Sequence, residues 1–248
     1  MKNNMIFLIK KTSAHEHPSL VTFLNPYSYL LARKHIDLFN RFDQIYIDGI
    51  ALVRVLGLFN IVTVQRKSFD MTSMVPEVLE EAIQTSKTLY FIGAKPHQID
   101  HAITNIKKRY PKLQIAGYRD GYFHTQPEQE RVFKNIRALN PDIVICGMGT
   151  PLQEKFLIDL KTHGWNGIGY TCGGFLHQTA QKMQYYPGWI DRYNLRWIYR
   201  IYDEPRLFQR YFWEYPKFLF AFLYDYIQYR SLPEKPHHNA AEKSPLDN

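Results

Sequence analysis

Two stretches of this chain are spaced for chemistry. The first is the carboxylate Asp48, which ends the apolar run Gln44-Ile45-Tyr46-Ile47 and precedes Gly49. At the end of a strand such a group can act as a general base toward a ligand hydroxyl. The competing reading is a turn-forming Asp-Gly whose side chain bonds its own backbone. The second is Pro141 to Lys155, where a strand-length apolar run enters Gly147-Met148-Gly149 and is followed by Thr150-Pro151-Leu152-Gln153-Glu154. Thr150 fits a helix cap and Pro151 a first helical position. Unpaired N–H groups and the positive end of the helix dipole would then converge on an anionic group. Gly93-Ala94-Lys95-Pro96 is a shorter glycine turn of the kind that approaches phosphate. Asn25-Pro26 either holds a ligand hydroxyl or caps the next helix. His177, beyond Cys172-Gly173-Gly174, is a ligand or acid in one reading and a structural histidine in the other.

These residues need a frame, and the pattern from about Val21 to Gly169 supplies one. Strands are expected at 21–24, 44–47, 89–92, 113–117, 143–146 and 167–170. Helices are expected at 27–39, 74–86, 97–110, 128–139, after Pro151 to about 163, at 195–202 and at 206–229. Strands alternating with helices imply βαβ units, right-handed crossovers and an α/β fold with a Rossmann-like, mostly parallel sheet flanked by helices. Ligands of such sheets sit beyond the carboxyl ends of the strands. Asn25, Asp48, Gly93, Gly149 and Gly173 all fall there. The expected division is a catalytic core over 1–187, an aromatic-basic helical appendage over 188–230 and a disordered tail over 231–248.

The appendage stands out by composition. Between Tyr185 and Arg230 lie 18 aromatic residues, interleaved with Arg192, Arg196, Arg200, Arg206, Arg210, Lys217 and Arg230. It reads as core-packing helices, as a base-stacking surface or as a membrane-surface segment. The scarcity of Gly, Ser and Asn among its helices favours membrane over nucleic acid. A net charge of +8 suits an anionic partner without choosing one. Two cysteines in buried-looking strand ends, with no Cys-x-x-Cys and no His/Cys cluster, imply a reduced, cytosolic protein without a metal site. The apolar stretch Met5 to Ile9 is too brief for a signal segment, and no window reads as a transmembrane helix.

In order, the chain carries Asn25-Pro26, Asp48-Gly49, Gly93-Ala94-Lys95-Pro96, Tyr110-Pro111-Lys112-Leu113, Asp120-Gly121-Tyr122-Phe123, Asn140-Pro141-Asp142 and Gly147 to Glu154. Trp197-Ile198-Tyr199-Arg200 and Glu204-Pro205-Arg206 follow. The series resembles the WecG/TagA/CpsF glycosyltransferases of bacterial surface-polysaccharide and teichoic-acid synthesis. That resemblance implies an inverting transferase, without metal or cofactor, that moves a sugar of the N-acetylmannosamine type from a UDP donor to an undecaprenyl-diphosphate-linked sugar. It implies Asp48 as base, Asn25 on the acceptor side, and Gly93, Lys95, Gly147, Gly149, Thr150, Gln153 and Glu154 around the donor. Arg66, Arg200, Arg206 and Arg210 become candidates for a diphosphate, and the appendage a dock on the anionic inner face of the cytoplasmic membrane. No nucleic-acid partner is implied, and a homo-oligomer is left open.

This chain departs from the family pattern at Phe23, where a threonine is common; at Arg66-Lys67-Ser68-Phe69-Asp70, which lacks a glycine; at Leu176-His177, in place of Phe-Asp; and at Arg196, in place of a glutamate. Two rivals are a nicotinamide- or nucleotide-binding oxidoreductase and a non-enzymatic membrane- or RNA-binding module. Against the first, no Gly-x-Gly-x-x-Gly follows the first strand, and Gly147-x-Gly149 runs into proline.

Overall fold

The computed structural model describes residues 4–12, 18–193, 195–205 and 207–231, so positions 232–248 of the expected tail lie outside the described residues. Six strands form one all-parallel sheet: β1 (Leu20–Leu24), β2 (Gln44–Ile47), β3 (Thr88–Gly93), β4 (Gln114–Arg119), β5 (Ile143–Gly147) and β6 (Ile168–Thr171), in the spatial order β2-β1-β6-β5-β3-β4. Register sets Leu24 beside Ile47, Gly93 beside Gly147 and Cys146 beside Thr171, so the carboxyl ends share one rim.

Central strands of a parallel sheet are covered on both faces and read as continuous apolar runs. Strand β5 (Ile-Val-Ile-Cys-Gly) is buried throughout. Its side chains alternate, with Val144 and Cys146 in one core and Ile143 and Ile145 in the other. The second core is closed by α5 (Met74–Gln84), α6 (Pro96–Arg109) and α9 (Phe175–Gln181). The first takes α1 (Met5–Thr12), α2 (Pro26–Lys34), α3 (Ile36–Phe39), α4 (Ile50–Leu58), α7 (Gln126–Leu139), α8 (Leu152–Thr162) and α13 (Tyr215–Arg230). Between the sheet and α13 run α10 (Gly188–Arg192), α11 (Arg196–Asp203), α12 (Leu207–Gln209) and a π-helical turn over Arg210–Glu214.

Several expectations change in detail. The helix expected over 27–39 is two, broken at His35, whose backbone leaves helical geometry. The helix expected over 206–229 is interrupted by the π-helical turn, with Pro216 in the first turn of α13. Proline offers no N–H to the preceding turn and crowds its carbonyl. Thr150 does not cap α8, because Pro151 takes the cap position and the Thr150 hydroxyl turns to Glu154 Oε1 at 3.3 Å. The apolar stretch at Met5 is an amphipathic helix, α1, and α4, α9 and α10 add to the expected series.

The C-terminal segment is pinned from below. Phe218 and Phe222 of α13 are about 1% exposed, packed on Tyr29. Buried Asp225 accepts from the Tyr29 hydroxyl at 2.7 Å and from Arg33 Nε and Nη2 at 2.9 and 3.0 Å, and its carbonyl accepts from Asn4 Nδ2 at 2.8 Å. Removing one member of a buried pair strands the other. Asp225→Ala is expected to lower unfolding free energy by about 2–4 kcal/mol in urea titration. Lys217→Ala, which breaks an exposed pair with Glu214, should change it by less than about 0.5 kcal/mol.

Candidate active site

At the β3/β5 boundary successive connections leave the sheet in opposite directions, the place where parallel sheets open a ligand crevice. Here the loops meet as nearly bare backbone. Gly93 has φ +143°, and a Cβ on it would lie 2.3 Å from Gly147 O, so both positions exclude side chains. Ala94 N donates to Gly147 O at 3.2 Å, and Gly121 N to Ala94 O at 3.1 Å, bringing the loop after β4 to the same spot. Gly149 has φ +80° and faces open space. Lys95 stands exposed at the start of α6, its N–H given to Gln98 Oε1 at 3.2 Å. Gln98 Nε2 in turn lies 2.8 Å from His177 Nδ1, which ties α6 to α9, as the structural reading of His177 expects.

Gln153 and Glu154 sit beneath this rim rather than on it. Glu154 is fully buried, and its Oε1 receives Thr22 Oγ1 at 2.9 Å, Gln153 Nε2 at 3.0 Å and Thr150. Thr171 Oγ1 donates to Thr22 Oγ1 at 2.9 Å, and Gly173 N to Gln153 Oε1 at 3.2 Å. One network thus holds the ends of β1, β5 and β6. Burial raises the Glu154 carboxyl above the usual range despite these donors, and its Oε2 has no partner among the described residues.

On the other side of β6 the rim carries Asn25 and Asp48. Asn25 Oδ1 accepts from Tyr27 N and Ser28 N at 3.0 Å, so the capping reading holds at that atom. A Cβ on Gly49 would meet Pro26 Cδ at 2.6 Å, so these two loops are packed together. Asp48 is only partly exposed, its carboxyl is ringed by protein, and no hydrogen bond to that carboxyl is found among the described residues. Burial first, and the charge of Asp70 second, push it from 3.8 up to about 6, against the pull of Arg66, Arg196 and Arg200. A base titrating there is ionised at neutral pH yet still basic enough to take a proton.

Sequence reading missed Asp70, Arg196, Tyr186 and Tyr215. Asp70 accepts from Ser68 Oγ, Thr72 N and Thr72 Oγ1 at 2.7, 2.9 and 2.7 Å and pairs with Arg196. Burial works upward on it, but Arg196 and those donors hold it below the usual carboxylate range, so it is committed where Asp48 is open. The one available signal was spacing, since Arg196 and Arg200 lie four residues apart on one face of α11. The Arg200 guanidinium comes within 3.9 Å of the Cβ position of Gly174 and 3.8 Å of Glu204, and its Nε is buried without a hydrogen-bond partner among the described residues. It therefore lies beside the loop that Gln153 holds and acts electrostatically on Asp48. Burial raises Tyr186 and Tyr215 well above the usual phenol range, and the Asp48 charge adds to both. Arg206 and the side chain of Arg210 lie outside the described residues. Among those described, no group of three His, Cys, Asp or Glu side chains is placed to hold a metal ion.

Fold and site define a Rossmann-like α/β protein that sets several guanidiniums, and a carboxylate without a hydrogen bond among the described residues, on one rim. The comparisons carry this to a family: the chain matches the glycosyl transferase WecG/TagA/CpsF family over residues 2–232, belongs to it, and is a glycosyltransferase. It is 38% identical over 204 residues to the UDP-Gal:alpha-D-GlcNAc-diphosphoundecaprenol beta-1,4-galactosyltransferase of Shigella boydii, covering 82% of this chain and 85% of that one. It is 29% identical to the N-acetylglucosaminyldiphosphoundecaprenol N-acetyl-beta-D-mannosaminyltransferase of Bacillus subtilis (77% and 74% covered) and 30% to that of Bacillus spizizenii (81% and 74%).

The raised Asp48 makes a stability prediction. Below about pH 3.8 the group is neutral folded and unfolded and has no effect. Between 3.8 and about 6 the unfolded chain ionises first and stability falls, and above 6 the full cost remains. Asp48→Asn should therefore stabilise the protein at about pH 7.5 by about 1–2 kcal/mol, with the gain gone near the unfolded-state value, read by urea unfolding across pH.

Proposed function

We propose that this chain is an inverting glycosyltransferase that moves a hexosyl unit from a UDP-sugar to a hydroxyl of an undecaprenyl-diphosphate-linked N-acetylglucosamine. The observation that carries the reading is the Asp48 carboxyl at the rim, on a partly exposed residue, without a hydrogen bond among the described residues and attracted by three guanidiniums. The acceptor hydroxyl attacks the anomeric carbon from the face opposite UDP, and Asp48 takes its proton as the new C–O bond forms. The bond to UDP breaks, and the diphosphate leaves with the electron pair. Arg200, with an unused buried N–H, and Arg66 are the described cations suited to that charge, joined by backbone amides around Gly93, Gly147 and the start of α8. Lys95 and Thr150 flank the same loops, and Asn25 lies on the acceptor side beside Gly49.

For the donor sugar, the 38% relative is named for galactose and the relatives near 30% for N-acetylmannosamine. We therefore favour galactose over the N-acetylmannosamine type expected from the sequence. A panel of UDP-sugars with a polyprenyl-diphosphate-GlcNAc acceptor, reading UDP release, decides between them. Asp48→Asn should lower kcat by about 10²–10⁴-fold while UDP-sugar affinity stays within about threefold. Equal loss of binding and turnover removes the base role.

The acceptor's lipid puts the enzyme at a membrane, and no described helix is long and apolar enough to cross one. Apolar side chains crowd the outside of the C-terminal segment instead: Trp197, Tyr202, Trp213, Phe220 and Ile227 are 44–85% exposed. Surface aromatics with nearby cations suit an interfacial dock on the anionic cytoplasmic face. Because α13 also builds the core, the test is substitution and not deletion. Phe220→Asp/Ile227→Asp should reduce sedimentation with anionic vesicles at least about fivefold with little change in melting temperature. Unchanged partitioning overturns the dock.

A further inference from the structure

Residues far apart in the sequence converge on one buried guanidinium. Arg196 is 8% exposed. Its Nη1 donates to Asp70 Oδ2 at 2.5 Å and to Ser68 Oγ at 3.1 Å, and its Nη2 to Thr72 Oγ1. The guanidinium carbon lies over the Tyr186 ring, 4.8 Å from its centre. The loop it grips is fixed in turn, since Lys67 N donates to Ile47 O at 2.9 Å, one residue before Asp48. A rigid path therefore runs from Asp48 through the end of β2 to Ser68 and Asp70, across the ion pair to α11, and along one helical turn to Arg200.

Nothing else in α11 buries so deeply. Trp197, Ile198 and Tyr202 are exposed, and other ties of the helix among the described residues include the Tyr185–Asp203 hydrogen bond, the aromatic cluster of Tyr185, Tyr186 and Tyr199, and the Trp197–Tyr211 ring contact. We infer that Arg196 is a positioning residue: its clamp on Asp70 holds α11 over the Asp48 loop, sets Arg200 at the rim, and makes the two clamp charges opposing controls on the base. This rests on the reading of Asp48 as base. Among the described residues, the charged and titratable groups that act on Asp48 are Asp70 and Arg66 from the segment between α4 and α5, Arg196 and Arg200 from α11, Tyr186 from the segment after α9, and Tyr215 from α13. Asp70 opposes the ionisation of Asp48, and Arg196 favours it.

Opposing controls make a sign test that a purely structural ion pair does not pass. In a structural pair, losing either partner does the same harm. Here the full-length enzyme, assayed on vesicles carrying the lipid-linked acceptor, should respond oppositely. Arg196→Met should move the acidic limb of kcat/KM up by about half a pH unit or more, and Asp70→Asn should move it down by a similar amount. Both should lower kcat about tenfold or more by loosening α11, while Arg196→Lys keeps the limb within about 0.2 and loses less turnover. If Arg196→Met does not fold, Asp70→Asn and Arg196→Lys carry the same test. Limbs that stay in place, or move together, while Asp48→Asn is inactive overturn the inference and leave the base intact. Transfer surviving in Asp48→Asn removes the base instead. The clamp is then judged by hydrogen exchange over 196–203: faster exchange in Arg196→Met or Arg196→Lys supports it, and unchanged exchange overturns it.

Discussion

A carboxylate withdrawn from water without hydrogen-bond donors is unfavourable, and among the described residues the rim of this sheet is arranged around one. Asp48 loses hydration at the end of β2, and Asp70 adds repulsion; Arg66, Arg196 and Arg200 offset part of both. Burial and the like charge of Asp70 act against the three cations, and here burial prevails. A proton acceptor near neutral pH is the outcome. Of the three cations only Arg66 is close in sequence. The other two come from α11, so the electrostatics of the site depend on where a distant helix is held.

The C-terminal segment that carries α11 and α13 has two different kinds of surface. Underneath, α13 inserts Phe218 and Phe222 into the main core and fixes Asp225 against Arg33 and Tyr29. Outside, the same segment exposes Trp213, Phe220 and Ile227. One stretch of chain thus completes the hydrophobic interior, presents apolar surface outward and delivers guanidiniums to the rim. Core packing and surface docking, which compete as readings of the aromatic-basic composition, are compatible on opposite sides of the helices. The Glu154 network does related work on the β5 side. Its buried donors and acceptors fix three loop ends relative to one another, which leaves the glycine backbone above free to meet a ligand.

Much of the frame was legible in the chain itself. Continuous apolar runs ending in Gly or Asp-Gly, separated by helices of regular period, specify parallel strands and put Asn25, Asp48, Gly93 and Gly149 on one rim. This works because strand burial and helix period are local properties. Other elements escaped for local reasons too. The α4 run Ile50-Ala51-Leu52-Val53 is apolar without a helical period, and the interruption at Arg210–Glu214 has no distinctive residue besides Pro216 downstream. Thr150 satisfied every local rule for a cap, yet its hydroxyl found a buried carboxylate four residues on.

Residue types and their order along the chain determined the fold class, the rim and the candidacy of Asp48, because each follows from periodicity and strand ends. Only the tertiary structure decided that Asp48 is the open carboxylate and Asp70 the committed one. Ser68 and Thr72, which bond Asp70, are in its local window, but the ion pair that completes its commitment comes from Arg196, 126 residues further on. Burial and charge proximity are set by how the chain folds back on itself, and no local window contains them.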